Sequence, residues 1–95
     1  MAIVVFKDPR CADLFQRRRP GKGFPADLER IVQRKLAMLD AAERLDDLRF
    51  PPGNRLEALR GDRKGQHSVR VNEQFRLCFV WTRQGPTDVE LVDYH

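Results

Sequence analysis

Absences set the first bounds. Only two cysteines occur, Cys11 and Cys78, far apart and outside any Cys-x-x-Cys pair. That excludes a disulfide scaffold and argues for two reduced thiols, with Cys78, between Leu77 and Phe79, read as a small buried residue. With two histidines and no clustered ligands, neither a structural zinc site nor any other metal or cofactor is expected. No apolar run approaches the roughly 20 residues that a membrane-crossing helix requires. The opening residues, Met1 to Asp8, lack a basic stretch ahead of a long apolar core, so no membrane contact is expected and the compartment is read as cytoplasmic. The Gly-x-x-x-x-Gly-Lys-Ser/Thr phosphate loop is missing too. Arg60-Gly61-Asp62-Arg63-Lys64-Gly65 has the wrong spacing for it and reads as a solvated turn.

What is present is charge and arginine. The 95 residues carry 18 Lys+Arg against 14 Asp+Glu, a formal net charge of +4. With 41% hydrophobic and 34% charged residues, the chain has the make-up of a folded domain rather than a disordered one. Its length allows one domain, residues 1–95, around one core. A basic balance favours an anionic partner, and arginine sharpens that expectation because its planar fork grips phosphate at two points.

Ile3-Val4-Val5-Phe6 reads as a strand that Asp8-Pro9 interrupts. Cys11 to Phe15 reads as a brief helix, followed by a cationic loop from Arg17-Arg18-Arg19 to Gly23. From Pro25 to Leu45 the apolar residues Leu28, Ile31, Val32, Leu36, Leu39 and Ala42 recur at spacings of three and four, which predicts a long amphipathic helix. Phe50-Pro51-Pro52-Gly53-Asn54 ends it. The period then changes to two. Val69 and Val71 alternate with Ser68 and Arg70 over His67 to Val71, and strands are also expected over Phe75 to Trp81 and Val89 to Asp93. Turns are expected at Asn72-Glu73-Gln74 and across Gln84 to Thr87. Short turns make the strands antiparallel, so the reading is α+β: a twisted antiparallel sheet packed against one long and one short helix.

Several groups carry chemistry. A hairpin centred near Asn72-Glu73 puts Arg70 and Arg76 on neighbouring strands, where they either face solvent separately or together form a phosphate clamp. Glu57 sits among Arg55, Arg60 and Arg63, as a surface carboxylate or as an acid–base group. The last strand runs into Asp93-Tyr94-His95, a carboxylate, a phenol and an imidazole. An imidazole with a reference pKa of about 6.5 both gives and takes protons near neutrality. His67 fits a structural role. Metal-free RNA cleavage needs such parts: a base for the 2′-hydroxyl, an acid for the leaving 5′-oxygen, and cations for the crowded phosphorus. DNA has no 2′-hydroxyl and is excluded from this route.

Lys35 to Ala42, Pro51 to Leu59, Ser68 to Phe79 and the ending Val92-Asp93-Tyr94-His95 resemble the HigB toxins of the RelE superfamily, over the whole chain from about Ile3. The resemblance implies a RelE-like fold and a bacterial type II toxin that cleaves messenger RNA in the A site of the small ribosomal subunit, inhibiting translation and growth. It implies a HigA-like antitoxin with a helix-turn-helix domain, and contact with operator DNA only through that antitoxin. By position, Arg76 matches an arginine that holds the scissile phosphate, Arg70 a supporting cation, and Arg60 a basic residue facing RNA. Asp93, Tyr94 and His95 match the catalytic or substrate-positioning end. Glu57 stands where some relatives carry histidine. Arg17, Arg18, Arg19, Arg30, Arg34 and Lys35 are then expected to face RNA, where phosphate contacts give salt-sensitive affinity. The alternative is a non-catalytic module that binds antitoxin and RNA and serves as a co-repressor.

Overall fold

The three-and-four spacing and the later alternation divide the molecule into a helical layer and a sheet. The computed structural model describes residues 1–20 and 22–94. Helix α1 spans Pro9–Arg17; Asp8 caps it by accepting from the Arg10 amide, and Arg18 closes it in the left-handed region at φ 59°. Proline suits a first helical position because no amide is lost there. The helix is therefore longer at both ends than the expected Cys11 to Phe15.

The expected strand at Ile3–Phe6 does not form as a ladder. The segment runs parallel to the last strand with one bridge, Phe6 to Val89, and the Ile3 amide donates instead to the Asp40 carboxylate at 2.9 Å. The early turn into α1 leaves it too short to propagate.

Helix α2 spans Glu29–Ala41, preceded by a 3₁₀ turn at Ala26–Leu28. It stops short of the expected Leu45 because Ala42 is extended, at ψ 134°. The Asp47 carboxylate then accepts the Glu43 and Arg44 amides, each at 3.0 Å, and starts a separate 3₁₀ turn at Leu45–Arg49. Among the described residues, no helix is long and apolar enough to cross a membrane.

The sheet is antiparallel, in the order β1 (Glu57–Ala58), β2 (His67–Arg70), β3 (Phe75–Thr82) and β4 (Gly85–Asp93). Strand β1 was not evident in the sequence: two residues are too few to show a period. The last turn is tighter than expected, because Gly85 already pairs with Thr82. Gly85 is at φ +123°, and a Cβ there would strike the Ala2 carbonyl oxygen, so only glycine fits.

Alternation sorts the two faces. Val69, Leu77, Phe79, Val89 and Leu91 are buried together with Cys11, Leu14, Leu28, Val32, Leu36 and Leu39 from the helices. Each such aliphatic or aromatic side chain contributes roughly 1.5–3 kcal/mol on burial. The opposite face carries Ser68, Arg70, Arg76, Cys78 and Glu90, in register across three strands. This is the expected α+β architecture.

Two polar anchors fix the layers. Arg10 grips Asp8 with both arms of its fork, at 3.0 and 2.8 Å, while Asp8 also accepts the Leu91 amide at 3.3 Å. Burial pushes the Asp8 carboxyl up, but the Arg10 hydrogen bond and charge and the backbone amides outweigh it and hold the pKa below the usual value. At the other end, Lys35 does not face outward with Arg30 and Arg34 as expected: it is buried, and its ammonium donates to the Asn54 side-chain oxygen. Burial, with Arg34 and Arg70 nearby, lowers the Lys35 pKa.

Candidate active site

The outer face of the sheet is partly roofed by the chain between β1 and β2. Leu59 is buried and its amide donates to the Gln66 carbonyl at 2.9 Å. A 3₁₀ turn at Gly61–Arg63 follows, and Arg63 reaches Glu90 on β4 at 3.2 Å. Asp62 and Lys64 are exposed, as the solvated-turn reading expects of them, whereas Arg63 is half-buried and pinned. Lys7 also meets Glu90, at 3.4 Å.

Between this roof and the end of β4 lies a cleft of about 390 Å³ lined by Glu57, Ala58, Leu59, Arg60 and Tyr94. Three of the residues singled out in the sequence thus share one concavity. Glu57 supplies a carboxylate, Arg60 a guanidinium, and Tyr94, 37% exposed, a phenol.

Beside it stands the arginine pair. Asn72 folds the β2–β3 connection by accepting the Gln74 amide at 2.8 Å and the Phe75 amide at 2.7 Å, the local turn that asparagine favours. The hairpin so made sets Arg70 directly opposite Arg76. Arg76 donates from Nε to the Ser68 hydroxyl and from Nη2 to the Arg55 carbonyl, both at 2.6 Å. Its fork is fixed before any ligand arrives, and neither Arg70 nor Arg76 makes an ion pair among the described residues.

The tail completes the arrangement. Asp93 pairs with Phe75 at the last rung of the β3–β4 ladder. Tyr94 follows, its amide donating to the Gln74 carbonyl at 2.6 Å, and Val92, two residues earlier, sits opposite Arg76. Tyr94 therefore leaves the ladder on the arginine side of the sheet. His95 lies outside the described residues.

The other candidate cations lie elsewhere. Arg17 ends α1, with Asp13 at 3.9 Å, and Arg18 and Arg19 follow it on the surface. Arg30 and Arg34 are exposed on α2, which covers the other face of the sheet. None of these five lines the cleft. His67 points toward the helical layer and stacks on Phe79, centroids 6.4 Å apart. Burial, with Arg49 nearby, lowers its pKa, and its buried Nδ1 has no hydrogen-bond partner. Both thiols are buried; burial pushes Cys11 up to about 12 and raises Cys78 as well. Neither offers a thiolate nucleophile.

Sequence reasoning overlooked Ser68, Gln74 and the Arg55 carbonyl. Asn72-Glu73-Gln74 was legible as a turn, but nothing in it announced contact with the tail. Arg55 acts through its backbone, which no side-chain pattern reveals.

A two-helix, four-strand α+β domain of this kind is consistent with the RelE-like fold. The family described as the RelE-like toxin of type II toxin-antitoxin system HigB matches residues 4–95, and this chain belongs to that HigB-like toxin family. It is 45% identical over 78 residues, 82% of each chain, to Toxin HigB-1 of Vibrio cholerae serotype O1. It is also 36% identical over 76 residues to an uncharacterized protein of Haemophilus influenzae, covering 80% of this chain and 75% of the relative. Membership in a type II system implies an antitoxin partner.

Proposed function

We propose that this toxin is a metal-independent endoribonuclease that cuts messenger RNA in the A site of the small ribosomal subunit and thereby stops translation. One observation carries the reading: Glu57, Arg60 and Tyr94 face one cleft, beside an in-register Arg70–Arg76 pair that has no carboxylate partner among the described residues. In this reaction a base takes the 2′-hydroxyl proton, that oxygen attacks the neighbouring phosphorus, and an acid protonates the departing 5′-oxygen. Arg76, with its fork already oriented, stabilises the charge that grows on phosphorus, and Arg70 supports it. Glu57 serves as base from the roof side, with Tyr94, His95 and Asp93 acting from the tail. Arg60, with Arg17, Arg18, Arg19, Arg30 and Arg34, holds RNA phosphates. A HigA-like helix-turn-helix antitoxin completes the system, carries the complex to operator DNA, and works with the toxin in the cytoplasm.

The test is expression of the free protein followed by primer extension on translated messages. New 5′ ends and growth arrest are expected from the wild type, and neither from Arg76→Ala or His95→Ala. Full toxicity in both variants overturns the assigned site. If no new 5′ ends appear under any condition, the reading gives way to a co-repressor that binds antitoxin without cutting RNA.

A further inference from the structure

A segment that leaves a sheet frays unless something ties it down, and here the segment that leaves β4 at Tyr94 carries candidate chemistry. The last rung of the β3–β4 ladder is Phe75 with Asp93. One residue from the β2–β3 turn, Gln74, holds the two positions at and beyond that rung. Its backbone carbonyl accepts the Tyr94 amide at 2.6 Å. Its side-chain amide donates to the Asp93 carboxylate at 3.0 Å. Tyr94 makes no other hydrogen bond among the described residues, so its phenol is left open to the cleft that it lines.

Gln74 is itself held. Asn72 accepts its amide and that of Phe75, and Val71 and Asn72 both donate to the Phe75 carbonyl, at 3.0 and 3.2 Å. The turn is thus a rigid bracket rather than a loose tip. From these contacts we infer that Gln74 is a positioning residue, which holds Asp93 at the last rung and so orients Tyr94 for work in the cleft, and touches no reacting atom itself. This rests on the reading of the tail as part of the ribonuclease site. Glutamine suits that role because its amide donates to a carboxylate without adding charge. A glutamate in its place would set two carboxylates against each other, and alanine would leave Asp93 without this donor.

Two measurements on the intact protein test the inference. The first is ¹⁵N relaxation and amide exchange at Tyr94 in the wild type, Gln74→Ala, Gln74→Glu and the reciprocal double variant Gln74→Glu/Asp93→Asn. The order parameter is expected to fall from about 0.85 to below about 0.6 in both single variants. It should recover in the double variant, where the Asn amide donates to the Glu carboxylate. The second is cleavage on purified, message-programmed ribosomes. Gln74→Ala should lower the maximal rate about tenfold while the half-saturating ribosome concentration stays within about twofold, the signature of lost alignment rather than lost binding.

Unchanged Tyr94 order in both single variants overturns the inference, whatever the rates. So does a disordered tail with a normal maximal rate, because positioning would then have no consequence. If the wild type does not cleave at all, the ribonuclease reading fails instead, and the relaxation data alone decide whether Gln74 holds the tail.

Discussion

Arg70 and Arg76 stand directly opposite each other across the β2–β3 ladder, two like charges on adjacent strands. Such pairs destabilise a sheet, and the Arg76 fork is further committed to the Ser68 hydroxyl and the Arg55 carbonyl. The repulsion would be relieved by an anion bound over both.

Arg70→Thr should therefore make the free protein more stable, by roughly 0.2–1 kcal/mol. RNA binding should weaken at the same time, and its dependence on log salt should become shallower by about one phosphate's worth. Denaturant titration and binding across a salt series measure the two effects. A variant that lost stability would show that the pair is not repulsive in the fold.

Arg76→Lys separates charge from shape. The ammonium keeps the positive charge, but it cannot span Ser68 Oγ and the Arg55 carbonyl as a planar fork does. Cleavage should fall about a hundredfold with the circular dichroism spectrum unchanged. A lysine variant with wild-type activity would reduce the role of Arg76 to electrostatics alone.

Asp8 governs stability on the acid side. Its folded pKa lies below the reference value of 3.8, so its contribution is fully present above that value and is lost as pH falls through the lower, folded pKa. Asp8→Asn leaves a side-chain oxygen to cap α1 but removes half of the partly buried ion pair with Arg10, and should cost about 1–3 kcal/mol near neutral pH. Its stability should then change less than that of the wild type below about pH 4. Parallel pH–stability curves for the two proteins would show that the acid sensitivity comes from other carboxylates.

Asn54→Ala should be the most damaging polar substitution in the fold. Asn54 is fully buried, donates to the Leu48 carbonyl at 3.1 Å and the Phe50 carbonyl at 3.2 Å, and accepts from Lys35. Removing it strands a buried ammonium and two carbonyls, at a cost of about 3 kcal/mol or more. Adding Lys35→Met should restore part of the loss, because the stranded charge goes with it. A double variant no more stable than Asn54→Ala alone would show that the ammonium finds water on its own.

The elements with a long period were the legible ones. Val69, Val71, Leu77 and Leu91 alternate over enough residues to announce β2, β3 and β4, and Leu28 to Leu39 announce the body of α2. The turn at Asn72 could be read from its residue types, and with it the meeting of Arg70 and Arg76. The failures turn on single side chains that capture a neighbouring amide or a distant partner, and an apolar period shows neither. Asp8 diverts the first strand into a helix, Asp47 captures the amides that would have extended α2, and Arg63 draws its loop across the sheet to Glu90. For the site, Glu57, Arg60 and Tyr94 were each chosen from chemistry and family resemblance. That they border one cleft follows from that fold-back, which no local pattern signals.

The strut from Arg63 to Glu90 and the tail segment at Tyr94 hang from the same strand, four residues apart. The aperture between roof and tail is therefore gauged by a single length of backbone, and both of its jaws travel together when that strand moves. Slipping β4 by one residue would turn Glu90 inward and carry Tyr94 to the far side in the same stroke.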